Sequence, residues 1–271
     1  MALAIAPTLP ATEPISARGQ AVYPSDAPGI LASSYILLDA RSGEVLAQKN
    51  ADQRRPVAST QKLVTALLIL ERGDLDREIT IRREDTLAPP SKMYLKVGQR
   101  ITRRELLRVF LVKSANDAAD ALARDHSGSV PAFAQAMNAK ARQLGAHSSN
   151  FRNPHGLTAS GQYSTARDIA RIAFVAYRQP FIRDTARLKS VTVAGSTYKS
   201  TNKLLGRMPE CTGLKTGYTD ASGRCLVSTA QFAGRDTLLV QLGSKTSHIF
   251  DDAETLMRWG NRPSSGILAA R

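Results

Sequence analysis

Ser59-Thr60-Gln61-Lys62-Leu63-Val64-Thr65-Ala66-Leu67-Leu68-Ile69-Leu70 decides the reading of this chain. From Leu63 to Leu70 the run is apolar nearly all round, which a helix tolerates only in the centre of a domain. Gly73 lies just past its end, a usual helix stop. The stretch predicts a buried central helix with a Ser and a Lys at its start. A Ser three residues before a Lys on a helix puts both side chains on one face. A neutral or well-oriented Lys amine then takes the Ser proton and makes the hydroxyl a nucleophile. Unpaired N–H groups at the helix start favour negative charge developing near Ser. The plainer reading of Ser59 is a helix cap, the common use of Ser. Ser-x-x-Lys is weak alone, because Ser196-Thr-Tyr-Lys199 and Ser200-Thr-Asn-Lys203 match it too. Those two sit in polar, Gly-flanked sequence without an apolar helical face.

Before this helix, Tyr35-Ile-Leu-Leu-Asp39, a turn around Ser42-Gly43 and Glu44-Val-Leu-Ala-Gln48 read as a hairpin. After it, Thr102 and Glu105 form a capping-box pair ahead of a second apolar helix. Three more helices are predicted: Asp117 to about Asp125, Pro131 to Gly145, and a segment capped by Thr165 and Asp168 that runs to about Arg178. Cys225-Leu-Val-Ser-Thr-Ala230 and Thr237-Leu-Leu-Val-Gln-Leu242 read as strands with a turn at Ala233-Gly234, and a last helix covers about Ile249 to Trp259. Two strands, many helices, three strands and one helix imply an α/β chain of the α+β type. The expected core is an antiparallel five-stranded sheet built from both chain ends, flanked by helices, with a helical subdomain inserted. Residues 1–27, rich in Pro, Ala, Thr and Ser, are expected to form an N-terminal tail, and residues 262–271 a C-terminal one. That leaves residues 28–261 as one domain.

Composition narrows the function classes. The 271 residues are 42% hydrophobic and 22% charged, enough for a packed core. Thirty-seven Lys+Arg against 23 Asp+Glu give +14, which favours anionic partners or simply a solvated basic surface. The basic residues are scattered and no nucleic-acid motif is present, so nucleic acid is not expected as a partner. No apolar stretch reaches the roughly 18–20 residues of a membrane span. Met1–Pro7 is briefly apolar but lacks a basic start, so it does not read as an intact signal peptide. His126, His147, His155 and His248 show no metal spacing, so neither metal nor cofactor is expected. Position alone allows His248 to line a cleft, whereas His155, in a loop-like Asn-Pro-His-Gly segment, reads as structural. Cys211 and Cys225 are symmetric about residue 218, where the turn is expected. Two readings stand for them: a cross-strand disulfide or two buried thiols.

Two further motifs join Ser59-x-x-Lys62. Ser-x-Asn occurs at Ser114-Ala-Asn116, Ser148-Ser-Asn150 and Ser200-Thr-Asn202. Only the first lies at a junction of two predicted helices, where a hydroxyl and an amide can point into a cleft; capping by Asn116 is the plainer account. Lys215-Thr216-Gly217 occurs once, against about 0.05 expected by average composition. Lys and Thr there can hold a carboxylate, and Gly lets a substrate approach the backbone. An ordinary turn is the alternative for Gly217. In this order the three form the set Ser-x-x-Lys, Ser-x-Asn, Lys-Thr-Gly of penicillin-recognising enzymes.

Over roughly residues 30–260 the chain resembles the low-molecular-mass penicillin-binding proteins of the D-alanyl-D-alanine carboxypeptidase family. Ser91-Lys-Met-Tyr-Leu-Lys-Val-Gly98, Asn153-Pro-His-Gly-Leu157, Tyr163-Ser-Thr-Ala-Arg-Asp168 and Lys215-Thr-Gly-Tyr-Thr-Asp-Ala-Ser-Gly223 add to the likeness. The resemblance implies a penicillin-binding-protein/β-lactamase fold and a serine carboxypeptidase acting on peptidoglycan stem peptides, with β-lactams as covalent inhibitors. It implies that Ser59 attacks and Lys62 accepts its proton. Ser114 and Lys215 would relay a proton to the leaving D-alanine, Asn116 hold the peptide amide and Thr216 the carboxylate. The N–H groups of Ser59 and Tyr218 would form the oxyanion hole. Lys62 and Lys215 are expected to depress each other's pKa. The basic surface is expected to meet anionic cell wall, and the location to be periplasmic or otherwise extracytoplasmic. Longer members carry an extra β-domain and an amphipathic helix; shorter ones, some of them endopeptidases on D-alanyl cross-links, are closer. Some longer members use an Arg before the last helix to bind the terminal carboxylate; here Lys245 and His248 are the nearby basic residues. A class A β-lactamase is a rival, but the required Glu pattern is missing among Asp117, Asp120, Asp125, Asp168, Asp184 and Glu210. A non-catalytic cell-wall binding protein is the second rival, and three intact motifs argue against it.

Overall fold

The computed structural model describes residues 27–245 and 247–262, so almost all of both expected tails lies outside the described residues. Strands β1 (Ser34–Asp39) and β2 (Val45–Lys49) form the first hairpin, and a 3-10 turn, Ala58–Gln61, leads into helix α1 (Lys62–Arg72). Next come β3 (Glu78–Thr80), β4 (Arg100–Thr102), α2 (Arg103–Lys113), α3 (Asn116–Ser127), α4 (Val130–Gln143), α5 (Ala166–Arg178) and α6 (Pro180–Ala186). The chain continues through β5 (Ser190–Val193), β6 (Ser196–Lys199), β7 (Cys211–Thr219), β8 (Gly223–Gln231), β9 (Asp236–Ser244) and α7 (Ile249–Gly260).

The main sheet has five strands in the order β2-β1-β9-β8-β7, antiparallel throughout, so the two chain ends meet where β1 pairs with β9. Alternation along the strands splits the apolar side chains between two cores. Ile36, Leu38, Val227, Leu238 and Val240 face α1, α5 and the helical cluster, whereas Leu37, Leu226 and Leu239 face α7. Burial on both faces explains why β9 reads as a continuous apolar run.

Local chemistry explains the helix boundaries. Thr102 and Glu105 form the expected capping box, and Ser129 caps α4 one residue before its Val-Pro start. The Thr165 hydroxyl accepts from Asp168 N–H. The Asp168 carboxylate, however, does not reach back to Thr165; it accepts from Ser148 N–H at 2.7 Å and Ser149 Oγ at 2.8 Å, fastening the loop before α5. The small sheets β3–β4 and β5–β6 and helix α6 have no counterpart in the sequence reading. Their strands have only three or four residues, too few for a period-2 pattern to register.

The cysteine symmetry does not hold. The β7–β8 turn lies at residues 220–222, not 218, and a bulge follows Cys211. Cys225 therefore sits opposite Gly217 and Cys211 opposite Ala230, and both are free buried thiols.

One buried ion pair fixes the helices that carry the first two motifs. Arg103, at the start of α2, is 2% exposed and donates from Nε to Asp125 of α3 at 2.6 Å, and from Nη1 to the Gly73 carbonyl after α1 at 2.9 Å. Removing one partner of such a pair leaves a charge stranded out of water. Asp125→Ala is expected to lower stability by about 3–5 kcal/mol, seen as a lower urea midpoint with an unchanged slope.

Candidate active site

Ser59 occupies the 3-10 turn, and Lys62 is the first residue of α1. No side-chain cap bond is made at this helix start, so the capping account of Ser59 fails. Lys62 is fully buried, and its Nζ lies 2.9 Å from Ser59 Oγ, 2.8 Å from Asn116 Oδ1 and 2.7 Å from the His155 carbonyl. The Ser59 hydroxyl also reaches the His155 carbonyl at 3.1 Å. Asn116 Nδ2 donates to the Pro89 carbonyl at 2.9 Å, which turns Oδ1 toward the lysine; Asn116 caps nothing.

This partner set decides what Lys62 can do. The amide oxygen of Asn116 and the carbonyl of His155 only accept hydrogen bonds. A neutral amine has two N–H bonds, both used on those oxygens. Its lone pair then faces the one remaining partner, Ser59, whose O–H can turn to it from the His155 carbonyl. Burial, first, and the cation of Lys215, second, hold the Lys62 pKa well below its ordinary value.

Ser114 closes α2 with a left-handed backbone (φ 65°), a conformation rare outside Gly and tolerated where the surroundings enforce it. That bend presents Ser114 Oγ to Lys215 Nζ at 2.8 Å; the same amine donates to the Thr216 carbonyl at 2.9 Å. Lys215, on β7, is 1% exposed, and burial pulls its pKa down to about 7. Both lysines are thus depressed, by burial first, and the Lys215 cation adds to the effect on Lys62.

Gly217 has a use beyond the one expected. A Cβ there would fall 2.8 Å from Ser59 N and 2.9 Å from Ala58 Cβ. Its missing side chain lets β7 close on the nucleophile's own turn and keeps the space beside Ser59 N–H clear. Tyr218 lies one residue on, its ring in solvent, its hydroxyl on Asp220 at 2.8 Å and the Arg224 guanidinium 5.5 Å from the ring centre.

The sequence reading missed the Asn153–Leu157 loop as part of the site. Asn153 Oδ1 accepts from Gly156 N–H at 2.7 Å, and Gln61 Nε2 donates to the Asn153 carbonyl at 2.6 Å. Gly156 (φ +88°) packs so closely on Ala58 that a Cβ would sit 2.1 Å from its carbonyl oxygen. The loop thus brings the His155 carbonyl to Lys62. The signal was a backbone atom, which no side-chain motif carries. A second omission is Thr201, in the stretch rejected as a nucleophile site; its Oγ1 lies 2.5 Å from Thr216 Oγ1.

Ser59, Ser114, Asn116, Thr216, Gly217 and Tyr218 line one open cleft. Lys113, Lys203 and Arg224 add cations, Ile249 and Phe250 an apolar wall, and among the described residues no Asp or Glu lines it. His248 does not line it; its Nδ1 turns to Asp251 at 3.1 Å, outside the cleft. Ser148-Ser-Asn150 lies elsewhere, its Asn150 bonded to the Gly161 carbonyl.

Residues 21–246 match the peptidase family described as D-alanyl-D-alanine carboxypeptidase. The chain is 32% identical to the D-alanyl-D-alanine carboxypeptidase DacF of Bacillus subtilis over 79% of its own length, and spans 58% of that relative. It is 33% identical to the D-alanyl-D-alanine endopeptidase of Escherichia coli over 95% of its length, and spans 86% of that relative. The crystal structure of D-alanyl-D-alanine carboxypeptidase from Mycobacterium tuberculosis superposes with a TM-score of 0.83 at 32% identity, covering 88% of this chain and 95% of the other. On its motifs, its fold and these matches, the chain belongs to the D-alanyl-D-alanine carboxypeptidase family of serine peptidases.

Proposed function

We propose that this protein is a serine D-alanyl-D-alanine carboxypeptidase of peptidoglycan stem peptides, working through an acyl-enzyme on Ser59. The observation that carries the reading is the placement of the Lys62 amine, 2.9 Å from Ser59 Oγ with Asn116 Oδ1 and the His155 carbonyl as its other partners; in the neutral amine those two oxygens take the N–H bonds and leave the lone pair to Ser59. Ser59 Oγ bonds to the carbonyl carbon between the two D-alanines as its proton passes to Lys62. The Ser59 and Tyr218 N–H groups receive the developing oxyanion. As the C–N bond breaks, Ser114 and Lys215 deliver a proton to the leaving amine, and Thr216 holds the terminal carboxylate. Water then cleaves the ester and restores Ser59. The cations at the cleft, with no carboxylate among its described lining residues, suit an anionic peptide end.

A second reading, DD-endopeptidase, draws support from two observations. The chain spans 86% of an endopeptidase relative. The stretch opening α7 puts Ile249 and Phe250 in the cleft rather than a basic side chain. In either case the proposed partners are stem peptides, β-lactams as covalent inhibitors and, through the +14 charge, anionic cell wall. The proposed location is extracytoplasmic, and among the described residues no helix is long and apolar enough to cross a membrane.

Intact-mass measurement after benzylpenicillin is expected to show one covalent adduct on the native chain and none on Ser59→Ala; an unmodified native chain would overturn the enzyme reading. Lys62→Ala is expected to slow acylation about 10²–10⁴-fold, the usual contribution of a proton acceptor. Because no described cleft residue is a carboxylate able to activate water, the adduct is expected to persist, and rapid steady-state nitrocefin hydrolysis would contradict this.

Acylation needs Lys62 without its proton, so its rate should rise with pH along a limb that lies below the ordinary lysine range. Lys215→Gln removes a neighbouring cation, lets Lys62 hold its proton longer and moves that limb to higher pH. A limb at the ordinary lysine position in the native chain would be incompatible with a depressed Lys62 as the base. Muropeptides separate the two reactions: D-alanine released from pentapeptide monomers marks the carboxypeptidase, and cross-linked dimers resolved to monomers mark the endopeptidase.

A further inference from the structure

Behind Lys62 lies a carboxyl group that the mechanism does not use. Asp120 stands on α3 one helical turn beyond Asn116, so both point to the same side. Its side chain keeps 17% of its surface, and its Oδ1 is closed off from solvent without a hydrogen bond. Orphaned buried oxygens are uncommon in folded proteins and call for a reason. His155 Nε2 stands 3.7 Å from that oxygen, too far for a hydrogen bond.

The histidine defines the contact. His155 Nδ1 accepts from Leu157 N–H at 3.2 Å, so the ring proton sits on Nε2 and points at Asp120. Burial and the nearby Lys62 cation push the His155 pKa down to about 3, which makes the contact a neutral ring against a carboxyl and not an ion pair. The carbonyl of the same residue accepts from Lys62 at 2.7 Å. Asp120 therefore touches the residue that orients Lys62, and its charge acts on Lys62 directly.

We propose that Asp120 is a positioning residue of acylation: its buried carboxyl backs the His155 turn that aims the Lys62 amine at Ser59, and its charge raises the affinity of that amine for a proton. This rests on the Ser59 acyl-enzyme reading. The charged and titratable groups facing Asp120 are Lys62 on α1, Asp85 on the 3-10 turn Glu84–Leu87, Asp117 on α3 and His155 on its loop. Asp85 is tied to Arg124 at 2.7 Å, and Lys215 faces Lys62 from β7. Burial first, then the Asp85 charge, raise the Asp120 pKa to about 7.

The sign follows. Above about pH 7 the ionised Asp120 favours protonated Lys62. Asp120→Asn removes that charge and is expected to move the acid limb of benzylpenicillin acylation to lower pH by about one unit, a tenfold change in rate on the limb. The test follows acylation against pH for the native chain, Asp120→Asn and Asp120→Ala, with thermal unfolding alongside. Asp120→Ala carries the measurement where the Asn variant does not fold. Folded variants whose limb coincides with the native one would overturn the role of Asp120 and leave Ser59 standing. A native chain that forms no adduct at any pH would overturn the Ser59 reading itself, and this role with it.

Discussion

A lysine taken wholly out of water must find partners or give up its proton, and the arrangement of this protein follows from how Lys62 meets that demand. Each of its three partners comes from a different part of the chain: Ser59 from the turn before α1, Asn116 from the start of α3, and the His155 carbonyl from a loop almost a hundred residues on. The cost of burying the amine is offset by these bonds, and in the neutral amine two of them leave the lone pair to the Ser59 hydroxyl. Stability and reactivity therefore depend on one constellation. Elements far from the cleft serve it, as Arg103 does by pinning α2 to α3 and to the end of α1.

Close approach is the second constraint. Gly156 and Gly217 press on the turn that holds Ser59 from two sides, at separations that no Cβ would allow. The turn is thereby clamped between the loop that supplies the His155 carbonyl and the strand that supplies Lys215. Ser114, bent into a left-handed conformation at the end of α2, meets the Lys215 amine of that strand. A Ser59 hydroxyl held this way has little freedom to leave the Lys62 amine, which is what proximity requires of the proposed acyl transfer.

Much of the fold was legible because its signals are long. The apolar run after Lys62, the capping box at Thr102 and Glu105 and the continuous apolar character of β9 each mark an element whose physics is local. The short strands and α6 carry too few residues for periodicity, and they exist because the rest of the molecule gives them something to pair with. The cysteines show the limit of spacing: one bulge and a turn three residues later than expected put Cys225 opposite Gly217. His248 shows another, since a helix start that brings Ile249 and Phe250 into the cleft turns the preceding side chain away from it.

The sequence by itself determined the chemistry: which Ser opens a buried helix, which Lys follows it at helical spacing, and that Lys-Thr-Gly stands ahead of the last strands. These are properties of neighbours along the chain, set by helix geometry and by side-chain type. Only the tertiary structure decided what those groups meet. That the base is oriented by a backbone carbonyl, that Gly217 makes room for the Ser59 turn, that Thr201 reaches Thr216 and that a carboxyl sits behind Lys62 all depend on segments brought together from far apart. Backbone atoms carry no residue-specific signature, and packing distances of a few ångströms are fixed by the whole core rather than by any stretch within it.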